Sequence, residues 1–202
     1  KHKNEISSCK AILIEDDLDG RFYQKSEQEI EEYKNNIIAK VHEKLQKDLP
    51  VYFLFASPEI ESWFIADWKN GFEFLYLDDG IVNDLERNAK MFFLHHLKQF
   101  IDKKILGYYS DRIEEYGWID GKYVKLSDQI IEAIQTDVKE YIGTLQNVNS
   151  DHAKQIQESR DLYYSKKLHG DRMLRNIQPE IVASKCKIYF MDFYNKLFTA
   201  VV

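Results

Sequence analysis

The segment ILIEDDLDG, residues 12–20, joins an apolar run directly to four carboxylates and a glycine. The run of small and branched apolar residues within residues 10–15 predicts a fully buried strand. Carboxylates crowded at the end of such a strand repel one another at short range. The segment therefore has two interpretations: a solvated acidic turn, or a site where a divalent cation normally lies among the acids.

Length and composition set bounds around this segment. The chain has 202 residues, is 44% hydrophobic and 31% charged, and suits one domain or one domain with an appended lobe. Its apolar stretches are too short to span a membrane. The net charge of −6 argues against a dedicated nucleic-acid coat protein, but not against an enzyme that meets phosphates through bound cations. Two cysteines without metal-ligand spacing, Cys9 and Cys186, indicate a reducing compartment, so we expect a cytoplasmic protein.

The order of predicted elements indicates an α/β fold. An amphipathic helix is predicted over residues 22–47, a second buried strand over VYFLFA (51–56), and a helix that Ser57 caps and Pro58 opens. Strand, helix, strand, helix predicts a parallel sheet flanked by helices. We assign residues 1–80 to this core. Residues 81–202 are predicted to be a mainly helical extension packed on the same core, with a short hairpin near 118–126 around Asp120 and Gly121.

The acids of both strands are expected to meet. Ligands of parallel sheets bind outside the carboxyl ends of the strands. Glu15, Asp17 and Asp19 alternate and should project to one side, with Asp16 on the other. Such oxygen ligands suit Mg²⁺ or Mn²⁺.

The second strand is followed by acids of its own. Glu59 and Glu61 come just after VYFLFA, in the predicted first turn of a helix, where carboxylates are favoured by the helix dipole. If the two strands are neighbours, these side chains complete a site for one or two metal ions. The competing interpretation of this pair is a simple preference of acids for helix starts.

Three segments resemble one protein family. E-D-D-L-D-G (15–20) resembles the D-x-D-x-D-G element of toprim domains, with Glu15 in the place of the first aspartate and Asp17, Asp19 and Gly20 matching. PEIESWFIAD (58–67) and the stretch from YYSKK to YNKL (163–197) are similar to a poorly characterised bacterial toprim-like family related to OLD-type nucleases. Members of that family are often found beside ABC-type ATPases in phage-defence gene pairs.

The resemblance implies a metal-dependent nuclease that acts as an effector of anti-phage defence. The implied catalytic residues are Glu15, Asp17, Asp19, Glu59, Glu61 and Lys166. Of these, Asp17, Asp19, Glu15 and Glu59 would hold Mg²⁺ or Mn²⁺, and Lys166 would steady the phosphate; by default Lys166 belongs to a solvated basic face. Toprim domains also carry a catalytic glutamate after an earlier strand. Glu5 follows no apolar strand, so we expect that strand and its glutamate to be absent from this chain.

The implied partners are a nucleic acid, either DNA or RNA including tRNA, and an ABC-type ATPase. The alternative is a catalytically silent toprim-like binding module that regulates an ATPase or is inhibited by one. A third class, a phosphohydrolase or phosphotransferase acting on nucleotides, would use the same acids. The chain has no P-loop pattern, so we do not expect it to hydrolyse ATP by that route.

Overall fold

Two strands near the start of the described chain pair in parallel. β1 spans Ile12–Asp17 and β2 spans Val51–Ala56, in a register that sets Asp17 opposite Ala56. The structure is a computed structural model that describes residues 9–77, 84–107, 112–146, 149–159 and 163–201. The predicted boundary at residue 80 and the position of Glu5 lie outside the described residues.

The first helix packs against the sheet through a small apolar cluster. α1 spans Glu27–Leu45 and begins at a capping box, in which the Ser26 hydroxyl accepts from the backbone N–H of Glu29 and the Glu29 carboxylate accepts from the Ser26 N–H. Because of this cap the helix starts later than predicted, and residues 19–24 form turns instead. Ile30 and Tyr33 pack with Phe55 in a small apolar cluster.

The prediction that the first strand is fully buried is wrong. Ile12 and Ile14 are half-buried, and Leu13 is 55% exposed. On the face that carries Leu13, the main core begins with Leu54 and Ala56, which lie further along the sheet. Leu13, opposite Tyr52, therefore lies outside the region that the core covers.

The connection after β2 also differs from the prediction. The Ser57 hydroxyl donates to the backbone carbonyl of Glu114 (2.6 Å), so it does not cap a helix. The Ser57–Pro58 peptide bond is cis, and the helix that follows, α2, spans Glu61–Ala66. Glu59 consequently precedes the helix, and only Glu61 lies in its first turn.

Helices make up most of the remaining described chain. A π-helical turn at Lys69–Glu73 leads into α3 at Phe74–Leu77, and α4 at Asp84–Phe100 continues as a π-helical segment at Ile101–Leu106. A 3₁₀ turn at Ile113–Glu115 precedes the antiparallel hairpin of β3, Trp118–Ile119, and β4, Lys122–Tyr123, which confirms the predicted hairpin. The last helices are α5 Leu126–Gln146, α6 Ser150–Glu158, α7 Lys166–Asn176, α8 Pro179–Lys185 and α9 Phe190–Val201.

One apolar core joins the early and the late elements. Trp63 and Phe64 of α2 lie in the same buried cluster as Phe93 of α4 and Ile130 of α5. The described structure is thus an α/β fold with a small parallel sheet and a mostly helical remainder. In the parts of the chain that are described, no helix has the length and apolar character needed to cross a membrane.

Candidate active site

Four acids at the ends of the two strands, Asp17, Asp19, Glu59 and Glu61, meet at one edge of the sheet. The backbone pairing continues past the strand ends: the Leu18 N–H donates to the Ala56 carbonyl and the Asp19 N–H to the Pro58 carbonyl, each at 2.8 Å. This pairing holds the segment of Asp17 and Asp19 against the segment of Glu59 and Glu61. The predicted neighbouring strands are therefore confirmed, and so is the proximity of their acids.

Asp17 connects the first acidic segment to the second and to Lys166. Its Oδ1 atom accepts a hydrogen bond from the backbone N–H of Ile60 (3.0 Å), and its Oδ2 atom contacts the Lys166 ammonium group. The side chains are partly open to solvent, at 29% for Asp17 and 43% for Lys166. The Asp17 side chain thus binds the backbone N–H of the residue before α2, and it forms a partly exposed ion pair with the first residue of α7.

Glu61 lies beneath this ion pair and is fully buried. The Tyr164 hydroxyl donates to its Oε1 atom (2.7 Å), whereas its Oε2 atom accepts no hydrogen bond from the described residues and lies 3.8 Å from Lys166 Nζ. Burial raises the pKa of Glu61 above its ordinary value, although the bond from Tyr164 and the charge of Lys166 act against this. Lys166 therefore bridges one exposed and one buried carboxylate.

Lys166 remains a cation in this setting. Burial alone lowers the pKa of its ammonium group, but the hydrogen bond to Asp17 and the charge of Glu61 outweigh burial and raise that pKa overall. From the sequence, Lys166 was predicted to lie either on a solvated basic face or beside the phosphate of a bound nucleic acid. The structure brings it into the acidic site from a position 149 residues beyond Asp17.

Glu59 and Asp19 form the second half of the site. Both oxygens of Glu59 accept from Ser127, one from the backbone N–H (2.8 Å) and one from the hydroxyl (3.1 Å), so this buried carboxylate anchors the first turn of α5. Lys125 Nζ lies 3.4 Å from Asp19 Oδ1 and 3.9 Å from Glu59 Oε1. Asp19 raises the pKa of Lys125, which keeps this second lysine charged.

The hairpin closes over the acidic turn through two aromatic rings. Asp19 and Gly20 both have positive φ, at 50° and 76°. A Cβ atom on Gly20 would lie 2.8 Å from both Trp118 Nε1 and Tyr123 Cδ2, so only glycine permits this approach. Burial, followed by the charges of Glu59 and Asp19, raises the pKa of the Tyr123 hydroxyl.

We expect Gly20→Ala to destabilise the protein by about 1–3 kcal/mol, because the new methyl group displaces the hairpin and the residue must keep a positive φ. Gly121→Ala is the matched control, since Gly121 also has positive φ (75°) but has nothing within 4 Å of its Cβ position. Urea unfolding of both variants measures the difference. Equal losses of stability in the two variants would contradict the close packing of the hairpin on Gly20.

The remaining acids of the opening segment lie apart from this network. Asp16 points to the opposite side, as predicted, and pairs with Arg21. Glu15 is exposed and forms no ion pair or hydrogen bond with any residue of the described ranges. Of the implied site residues, the structure therefore brings together Asp17, Asp19, Glu59, Glu61 and Lys166, and leaves Glu15 outside.

A cation fits this site by chemistry but not without a movement of Lys166. Hard carboxylate oxygens suit Mg²⁺ or Mn²⁺. Glu61 Oε2 is a buried oxygen that accepts no hydrogen bond from the described residues, and the buried Asp19 Oδ1 atom lies 3.4 Å from Lys125 Nζ. As they stand, no three Asp, Glu, His or Cys side chains within those residues are spaced to hold one ion. Lys166 contacts Asp17 Oδ2, so an ion at that oxygen would have to displace the lysine.

Several residues that hold the site and its neighbouring segments in place were not predicted from the sequence. Tyr164 lies in the YYSKK segment quoted for the resemblance, but only the fold shows that its hydroxyl reaches Glu61. Asp67 ends the PEIESWFIAD segment, is 2% exposed, and accepts from the backbone N–H of Gln178 (2.8 Å) at the start of α8. Glu59, Glu61 and Asp67 thus each anchor a distant C-terminal element, a role that no local pattern indicates.

No protein-family model, no curated protein and no solved structure matches the chain. The toprim-like resemblance therefore stays a prediction.

The buried charge of Glu61 leads to a prediction about pH. Since its folded-state pKa is raised, the folded protein binds more protons than the unfolded chain between the ordinary value of 4.5 and the raised value, and stability falls as pH rises through that window. We expect Glu61→Gln, which keeps the acceptor for Tyr164, to remove this part of the slope and to be more stable than wild type at pH 7 by about 1 kcal/mol. The two stabilities should converge near the lower limit. Urea unfolding across pH measures the difference, and parallel curves would refute the assignment.

Proposed function

We propose that the acid cluster is the active site of a divalent-cation-dependent phosphodiesterase, a toprim-like nuclease that acts as an effector of bacterial anti-phage defence. The observation that carries the chemical part of the proposal is the position of Lys166 between the carboxylates of Asp17 and Glu61. Carboxylates at the carboxyl edge of a parallel sheet would bind a phosphate through a divalent cation, and a neighbouring lysine can contact the phosphate directly. The defence role rests on the resemblance of residues 58–67 and 163–197 alone.

Asp17 and Asp19 are the residues that would hold the cation, with the buried Oε2 atom of Glu61 as a third ligand. When bound, Mg²⁺ or Mn²⁺ would polarise the phosphodiester and lower the pKa of an attacking water. Glu59, whose oxygens are both engaged by Ser127, acts in this proposal as a positioning residue. Glu15, which is exposed on the same face of β1, does not hold the ion in this proposal.

Lys166 has two positions in this proposal. Without substrate it neutralises Asp17 and Glu61. When a cation occupies Asp17, the flexible stem of Lys166 would carry the ammonium group to a phosphate oxygen, where it would stabilise negative charge in the transition state. Tyr164 holds Glu61 in place during this exchange, because its hydroxyl binds the oxygen that faces away from Lys166.

A cleavage assay tests the proposal. We expect labelled single-stranded DNA, duplex DNA or RNA to be cut in Mg²⁺ or Mn²⁺ and left intact in chelator. Cleavage that persists in excess chelator would contradict a cation-dependent site. Absence of cleavage of every substrate, with both ions and with the ATPase partner added, would overturn the proposed activity.

The second candidate is a catalytically silent module that binds an ABC-type ATPase. It is favoured by one observation: Lys166 and Lys125 already neutralise the acids in an ion-pair network that needs no metal. Metal dependence separates the candidates, because a binding module of this kind should associate with its partner equally well in chelator.

A further inference from the structure

A cavity of about 510 Å³ opens beside the acid cluster. Its walls come from the turn after β1, the cis Ser57–Pro58 turn, the segment that precedes the hairpin, and the start of the last helix. The cavity and the acids share a boundary, since Gly20 and Pro58 line the cavity and the Pro58 carbonyl accepts the Asp19 N–H at 2.8 Å. A molecule in the cavity would therefore contact Gly20, the residue that follows the proposed cation ligand Asp19.

Two stacked aromatic rings form one wall of this cavity. The rings of Tyr23 and Trp118 are nearly parallel, with centroids 4.0 Å apart and planes at 15°. Trp118 covers one face of the Tyr23 ring, and Tyr23 remains 44% exposed, so a planar ligand would have to stack on the other face. The Trp118 Nε1 atom is buried and has no acceptor among the described residues.

Two cationic side chains also line the cavity. Lys25 and Arg112 are paired with Glu29 (2.6 Å) and Glu115 (3.3 Å), and both basic side chains are largely exposed, at 48% and 69%. Exposed pairs of this kind contribute little to stability and exchange partners readily. Each can therefore turn from its carboxylate to a phosphate group at the cavity entrance.

We infer that this cavity binds an unpaired base of a nucleic-acid strand, which stacks on Tyr23 while the adjoining phosphate reaches the acid cluster. The inference rests on the proposed function and names its substrate class: single-stranded or locally unpaired nucleic acid. A base within a duplex has both faces covered by its neighbours, whereas an unpaired base has a free face that can stack on an aromatic ring. The site thus selects strands by the availability of an unstacked base.

Fluorescence anisotropy of a labelled DNA strand of about ten nucleotides tests this inference without cleavage. Binding is measured in chelator and in Ca²⁺, for the strand alone and for the same strand annealed to its complement. We expect the single strand to bind at least about ten-fold more tightly than the duplex. Tyr23→Ala should lose about ten-fold or more in affinity, Tyr23→Phe should retain binding, and Phe198→Ala, an exposed aromatic outside the cavity, should bind like wild type.

The outcomes that overturn the inference are distinct from those that overturn the proposed function. Wild-type affinity in Tyr23→Ala, equal affinity for strand and duplex, or no binding under either condition would each overturn the base-binding cavity. A strand that binds through Tyr23 but is never cut in Mg²⁺ or Mn²⁺ would overturn the nuclease activity and leave the cavity assignment standing. Thermal unfolding of Tyr23→Ala, monitored by circular dichroism, verifies that a loss of binding does not come from a loss of fold.

Discussion

Replacing Asp17 by asparagine is expected to reduce nucleic-acid hydrolysis by at least about a hundred-fold, because it removes the charge of a proposed cation ligand. The amide keeps an oxygen that accepts the Ile60 N–H, which in the native protein binds Asp17 Oδ1 at 3.0 Å. We therefore expect the fold to survive, with a stability change of about 1 kcal/mol or less. Initial cleavage rates and urea unfolding of the same preparation measure both effects.

The chain supplies its own control for this substitution. Asp16 is the adjacent residue, carries the same charge, and pairs with Arg21 on the opposite side of the strand. Asp16→Asn should therefore cleave at a rate close to that of wild type. Equal losses of activity in the two variants would indicate a general effect of negative charge. Wild-type activity in Asp17→Asn would remove Asp17 from the active site.

The second large effect is expected for Lys166→Met, which keeps the aliphatic stem and removes the ammonium group. If Lys166 stabilises charge that develops in the transition state, kcat should fall by about 10²–10³-fold with a smaller change in KM. Affinity for Mn²⁺ should stay the same or increase, because the lysine no longer competes for the Asp17 oxygen that it contacts. This combination separates Lys166 from Asp17, whose substitution should weaken metal binding.

Lys167→Met is the matched control, since Lys167 is the next residue of the same helix and is exposed. A purely structural role of Lys166 predicts a loss of stability with unchanged kcat. That result, or equal effects of the two lysine substitutions, would restrict Lys166 to the ion-pair network seen in the structure.

Local patterns in the sequence predicted the parts of the fold that depend on neighbouring residues. The bounds of β2 and the hairpin around Asp120 and Gly121 were predicted correctly, because apolar runs and turn residues act over a few positions. The meeting of the two acidic segments was also predictable, since adjacent parallel strands end at the same edge of their sheet. The exposure of Leu13 was not, because it depends on which elements cover the sheet.

The partners of the acids were beyond local reasoning. Glu59 and Ser127 are separated by 68 residues, and Glu61 and Tyr164 by 103. Local preferences explain why an acid follows a strand or begins a helix. Only the tertiary fold, which brings Ser127 of α5 and Tyr164 before α7 to these acids, decides which groups they bind. The same holds for Ser57, whose expected capping role is replaced by a bond to the Glu114 carbonyl 57 residues later.

A calorimetric titration with Mn²⁺ and Mg²⁺ tests the central claim most directly. We predict a saturable binding event in the wild-type protein that is absent from the Asp17→Asn/Asp19→Asn double variant and preserved in Asp16→Asn. Such a result would establish the cation site at the strand ends and exclude the solvated-turn interpretation of ILIEDDLDG. Equal binding by the wild type and the double variant, or no binding by the wild type, would contradict the account and favour the metal-independent binding module.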